Sequence, residues 1–249
     1  MIKIHGTPMT PATVALEFFK DRHAMVSYAH PEQIEMLALV CAAIYLDNGA
    51  FSAWMAGRPI TDWLPFRAWV DRWMSHPVCA WFLIPDVIDG DERDNDQLVH
   101  EFREVPNGVP VWHMHESVDR LRRLMDMGFE RIALGSSGEF SEIGTQRWWR
   151  KMSEAMKVAC DKQGKPLVKL HGLRMLNPSI FQKLPLASAD STNVARNIGI
   201  DSRWKGAYAT TNKLVRAETI ASLIEPFNSA SGWFEDIPQH HNLFMEDIA

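Results

Sequence analysis

Acids and histidines recur at one kind of place in this sequence, directly after a short apolar run. Asp47 follows Ile44-Tyr45-Leu46, Asp86 follows Phe82-Leu83-Ile84-Pro85, His113 and His115 close a run that begins at Val109, His171 follows Leu170, and Asp190 follows Leu186-Ala187-Ser188-Ala189. An ionisable group set straight after a buried strand must be hydrated, paired or in use. A helix-capping role accounts for one such acid, but five or six caps of this kind are too many. Carboxylates placed this way can act as nucleophile or as general acid and base. The same positions also allow a metal site: His113 and His115 alternate on one side of a strand, and His171 with Asp190 could complete a ligand set for a metal-dependent hydrolase.

The elements that must position these groups alternate. Short β-branched or apolar runs are separated by longer amphipathic segments, the sign of repeated βα units and a parallel sheet. Strands are expected at Ala24–Ala29, Ala42–Leu46, Val78–Ile84, Val109–Met114, Arg131–Leu134, Leu167–Leu170 and Leu186–Ala189, with an eighth at Gly206–Thr210. Helices are expected from Pro31 to about Cys41, over Thr61–Ser75, Asp91–Glu104, Ser117–Met127, Gly144–Lys162 and Lys213–Ile224. Ser117 suits an N-cap and Gly128 a helix stop. The stripe Trp63, Phe66, Trp69, Val70, Trp73 has helical spacing and reads as core. Eight units in 249 residues predict a single-domain α/β protein over residues 1–249, a (β/α)8 TIM barrel, in preference to an open doubly wound sheet. In a barrel the reactive groups gather at the mouth formed by the loops after the strands. The polar tail after Ser229 reads as a surface extension.

Composition narrows the function classes. With 46% hydrophobic and 23% charged residues the chain has ample material for a large core. Cys41, Cys79 and Cys160 are odd in number and far apart, which argues against a disulfide framework or a four-cysteine zinc site and fits a reducing cytoplasm. No signal-like N-terminus and no membrane-spanning run stands out, so neither export nor a membrane partner is expected. The net charge of −5 is unevenly spread: Lys165 to Arg216 holds nine basic residues against two acids, Asp190 and Asp201. A polyanion could dock on that half, with Arg174, Arg196, Lys205 and Lys213 as contacts. A nucleic-acid-binding barrel without catalysis would use the same basic half.

Five short motifs, in order, resemble the queuine/archaeosine tRNA-guanine transglycosylases, and more closely their relatives that insert 7-deazaguanines into phage or bacterial DNA. They are Asp47-Asn48-Gly49-Ala50-Phe51-Ser52, Ile84-Pro85-Asp86-Val87, Ala133-Leu134-Gly135-Ser136-Ser137-Gly138-Glu139, His171-Gly172-Leu173 and Ser188-Ala189-Asp190-Ser191-Thr192, spread over about two-thirds of the chain. The resemblance implies a glycosyltransferase with Asp190 as nucleophile on C1′ and Asp47 as general acid/base. It implies a base pocket of Asp86, Gly135, Ser136, Phe51 and His171, no cofactor and no catalytic metal. The expected partners are DNA, with tRNA less favoured, and a 7-deazaguanine base such as preQ0. A partner protein or a homodimer is compatible, as is a host cytoplasm for a phage-encoded enzyme. The sequence departs from the tRNA-acting members in lacking their cysteine-rich zinc-binding subdomain, and Asn48 and Ala50 replace small residues of the family's base pocket. A duplex substrate would need its target guanine extruded.

Overall fold

The computed structural model describes residues 1–199 and 210–234. Nine parallel strand segments make one sheet: β1 (Ile2–Gly6), β2 (His23–Ser27), β3 (Ala43–Asp47), β4 (Cys79–Leu83), β5 (Gly108–Val109), β6 (Val111–His113), β7 (Arg131–Gly135), β8 (Lys169–Gly172) and β9 (Ser188–Ser191). β5 and β6 are halves of one strand parted at Pro110, which has no N–H to donate. The first half pairs with β4 through Leu83 and Val109, and the second with β7 through Val111 and Ala133. The Pro110 carbonyl still accepts the Ala133 N–H at 2.9 Å. That strand therefore joins the two ends of the sheet, and the chain is an eight-stranded α/β barrel of the TIM type rather than an open sheet.

The first strand of the barrel, β1, is not among the strands expected from the sequence. β1 pairs with β2 on one side and β9 on the other, in register Ile4 with His23 and Ile4 with Asp190. The place expected for a strand at Gly206–Thr210 is thus taken by the N-terminus; that segment, Thr210 apart, lies outside the described residues.

Around the barrel run α1 (Ala12–Phe19), α2 (Ile34–Leu37), α3 (Ala50–Met55), α4 (Leu64–Met74), α5 (Glu92–Phe102), α6 (Val118–Asp126), α7 (Gln146–Ala159), α8 (Pro178–Phe181), α9 (Asn193–Asn197) and α10 (Lys213–Ser222). The expected helix from Pro31 shrinks to the single turn α2, and α1 and α3 are additions. Caps explain several starts. Ser117 Oγ accepts from the Arg120 N–H, and Asp91 with Asp94 forms a reciprocal capping box on α5. Phe66 and Val70 of α4 are fully buried, as the stripe predicted. The segment after Ser229 is not loose as far as Phe234: the Ala230 N–H reaches Leu184 O and the Trp233 N–H reaches Gly164 O. Among the described residues no helix is long and apolar enough to cross a membrane.

Strand alternation divides the core in two. Ile44, Leu46, Phe82 and Ile84 face outward to the helices, whereas Ile4, Met25, Tyr45, Trp81, Leu83, Val109, Val111 and Ala133 fill the barrel interior. Two residues beyond Ile4, Met25, Tyr45 and Ala133 come Gly6, Ser27, Asp47 and Gly135. The last inward layer is therefore small or polar where the layer beneath is mostly bulky, and a cavity opens above it.

Candidate active site

That cavity measures about 1150 Å³ and lies at the ends of the strands. Asp47, Asp86, Asp190, Gly135, Ser136, Phe51, Arg174 and Arg196 all line it, so most of the residues singled out from sequence meet at one mouth. A shallower depression of about 460 Å³ at the other end of β8 and β9 has one acid, Glu130, already paired with Lys169. It offers no comparable chemistry.

Asp47 is delivered by a turn that only glycine permits. Gly49 has φ +77°, and a Cβ there would sit 2.7 Å from the Ala29 nitrogen. The Gly49 N–H donates back to Asp47 Oδ2 at 3.2 Å. Asp47 keeps part of its surface toward the cavity, but protein crowds it closely. Lost hydration is the main reason its carboxyl is pushed up to about 6; hydrogen bonds from Ser27 and Gly49 offset this in part, and the charges of Asp190 and Asp86 add to it. A carboxyl titrating near neutrality can both give and take a proton.

Asp190 has a different setting. Its Oδ1 accepts the backbone N–H of Arg174 at 3.0 Å, aimed by the left-handed conformation of that residue at φ +59°. The Arg174 guanidinium holds the Ser136 carbonyl at 3.0 Å and lies 4.8 Å over the Phe51 ring, so it ties three parts of the rim together. Beneath Asp190 runs a buried chain. Arg131 Nη1 donates to Ser188 Oγ at 2.9 Å, and Ser188 Oγ lies 2.9 Å from His171 Nδ1. With Arg131 donating to the oxygen, the Ser188 hydrogen is free to point at Nδ1, which leaves the His171 N–H on Nε2, 3.4 Å from Asp190 Oδ1. His171 is fully buried against Trp81 and does not line the cavity. It lies beneath Asp190, its Nε2 near the carboxylate but without a hydrogen-bond partner, and does not face a ligand, which corrects its expected place in the base pocket.

The opposite wall is built on Asp86. Asn48 Nδ2 donates to Asp86 Oδ1 at 2.7 Å and to the Ile84 carbonyl at 2.8 Å, and His113 Nε2 lies 2.7 Å from Asp86 Oδ2. His115 stacks on His113 at 5.5 Å and holds Ser137 Oγ at 2.7 Å. Ser136 Oγ accepts from Trp148 Nε1, which fixes the strand end next to Gly135. Above this floor the first helix after β3 presents Phe51, Trp54 and Met55 to solvent.

No family model matches the chain, and no curated protein matches it. The site must be read from its own geometry.

The geometry does not assemble the expected metal alternative. Among the described residues no three His, Cys, Asp or Glu side chains converge on a point that a metal ion could occupy. His113 and His115 are each committed to protein partners, and His171 sits under another wall. Among the described residues the basic half does not form one face either. Lys169 pairs with Glu130 far from the mouth, and Arg216 is buried on the Ile198 and Thr210 carbonyls. Arg196 is exposed at the cavity rim, and Lys213 reaches the Thr10 carbonyl at 3.4 Å. Lys205 lies outside the described residues. Sequence reasoning missed Ser188 and Arg131 under Asp190, and Glu116 and Arg120 behind His113. Only the Glu116, Arg120 spacing of four residues carried a signal.

Proposed function

We propose that this chain is a guanine transglycosylase acting on nucleic acid, exchanging guanine for a 7-deazaguanine base through a covalent aspartyl-glycosyl intermediate. The observation that carries this reading is the pair Asp47 and Asp190, brought from strands three positions apart to the same cavity in unlike surroundings. One is pushed up toward neutrality, and the other is anchored by a backbone N–H. Two carboxylates at one sugar–base bond can divide the work of acid and nucleophile.

In the first step Asp190 attacks C1′ of the target nucleotide, the C1′–O bond to the carboxylate forms, and the C1′–N9 bond breaks. The electron pair goes to the departing guanine, which takes the proton held by Asp47. In the second step the incoming deazaguanine gives its N9 proton to the Asp47 carboxylate, and its nitrogen displaces Asp190. Asp86 accepts from the base N1–H and exocyclic amine, the backbone at Gly135 and Ser136 faces O6, and Phe51 stacks on the base. DNA is taken as the acceptor and tRNA as the alternative that the test below distinguishes. Exposed Trp54 and Met55, with Arg174 and Arg196, suit a nucleotide strand drawn across the mouth.

The test is incubation of the protein with labelled guanine and separate DNA and tRNA acceptors. Label entering DNA is the expected result; label in neither polymer would remove the reading.

A further inference from the structure

His113 closes β6 at the cavity wall, yet it is only 3% exposed, and each of its ring nitrogens faces a carboxylate. Nε2 is 2.7 Å from Asp86 Oδ2, and Nδ1 is 3.4 Å from Glu116 Oε1. A neutral imidazole carries one N–H, so it would turn a lone pair toward one of these anions. Glu116, also buried, accepts from the His113 backbone N–H at 2.8 Å, from Asn95 Nδ2 at 3.0 Å and from Arg120 Nη1 at 2.6 Å. Arg120 is fully buried and continues to Asp96 at 2.7 Å. With His113 charged, the two anions Asp86 and Glu116 are matched by two cations. With His113 neutral, a net negative charge would be left in the interior, which proteins avoid.

We propose that His113 is a positioning residue that holds Asp86 as a fixed, ionised acceptor in the cavity wall, so that the site admits ligands presenting N–H donors there and rejects those presenting lone pairs. The inference rests on the guanine reading for the identity of the donor. Both oxygens of Asp86 are pinned, one by His113 and the other by Asn48, so the carboxylate plane cannot swing. Each oxygen retains a lone pair for the ligand. A base edge with N1–H and an amine fills both, hypoxanthine leaves one unmet, and adenine presents an acceptor at N1. Burial by itself depresses the His113 pKa; hydrogen bonds and charges from Asp86 and Glu116 outweigh that and lift it to about 9. The other groups around the ring are Arg120, the stacked His115 and, acting on Asp86, Asp47.

The test combines nitrogen NMR of the imidazoles in the intact protein with equilibrium binding of free guanine, hypoxanthine and adenine. In the native protein His113 is expected to carry both protons up to pH 8 and beyond, and guanine to bind at least tenfold more tightly than hypoxanthine, with adenine weaker still. In Asp86→Asn the His113 signal should titrate at clearly lower pH, and His113→Gln should weaken guanine at least tenfold and narrow the preference over hypoxanthine. A native His113 that titrates in the ordinary histidine range overturns the proposal, as does a folded His113→Gln variant with undiminished guanine selectivity. A native protein that binds no guanine while His113 stays charged counts against the transglycosylase reading and still upholds the clamp.

Discussion

Two groupings of histidine, glutamate and arginine stand out among the described residues, one partly exposed and one buried, and they end differently. In one, His5 Nε2 lies 3.1 Å from Glu225 Oε1, and Arg22 binds Glu225 at 2.9 Å and Glu218 at 2.7 Å while covering the Phe18 ring. This grouping joins β1, the end of α1 and α10, and none of its side chains lines the cavity. In the other, His113, Glu116 and Arg120 have similar chemistry, but the chain of contacts ends on Asp86 at the cavity wall. Residue types alone do not separate a seam from a site. What separates them is whether the last carboxylate still has a lone pair facing space that a ligand can enter.

Substitutions at the mouth should therefore cost turnover and spare the fold, and those at the seam the reverse. The largest effect outside the nucleophile belongs to Asp47→Asn, which should lower base exchange by about 10²- to 10⁴-fold, the usual range for a lost general acid/base. The same change should stabilise. A folded-state carboxyl raised to about 6 disfavours folding once the unfolded acid has ionised, so the penalty grows from about pH 4 and is complete above about pH 6. Asparagine removes it, and at pH 7.5 a gain of about 1 kcal/mol, or about 2 to 4 °C in Tm, is expected, with no gain at pH 4. Loss of both turnover and stability would break the comparison.

At the seam, Arg22→Ala should cost about 1 to 2 kcal/mol, less than for a fully buried pair because Arg22 is partly exposed, and should leave turnover per folded molecule unchanged. Its pH signature differs from that of the mouth. His5 first, and then Arg22, hold Glu225 down at about 2 against the cost of burial, so its stabilisation is fully present above the ordinary glutamate value and is lost as pH falls toward 2. The stabilisation from His113, raised to about 9, is complete below its ordinary value near 6.5 and is lost as pH rises through 9. Chemical denaturation across pH should show Arg22→Ala flattening the acid limb only, and His113→Gln flattening the alkaline limb with a lesser acid-side change because His113 also helps hold Glu116 below its ordinary value against the cost of burial, smaller effects than the first. An alkaline change in Arg22→Ala would blur the two regions.

The sequence made the mouth legible and the seam nearly invisible, for a physical reason. Strand alternation is local, so an acid two residues past an inward Tyr45 can be placed at the barrel mouth from Asp47 and its neighbours alone. Gly135 and Asp190 follow by the same rule; Asp86 does not, because it stands two residues past the outward Ile84, beyond the end of β4. His5 and Glu225 are 220 residues apart, and no periodicity links them. β1 escaped notice because five residues with Lys3 and His5 facing outward look polar, yet His5 is buried by the helices. Gly6 and Gly135 could be read as turn residues, but they are strand residues against which neighbours pack closely: a Cβ at Gly6 would lie 2.6 Å from Thr192 Cγ2, and one at Gly135 3.2 Å from Val111 Cγ1. His171 was misjudged because its strand position was right while its depth, one layer below Asp190, depends on register with β9.

Bonding of Asp190 to the sugar is tested most directly by trapping. Native protein mixed with guanine-containing single-stranded DNA, quenched in denaturant and resolved by mass, should yield a protein–DNA adduct whose fragment map ends at Asp190. Asp190→Asn should yield none while keeping the native thermal transition. Base exchange by native protein with no adduct at any quench time, or exchange undiminished in Asp190→Asn, would contradict the account.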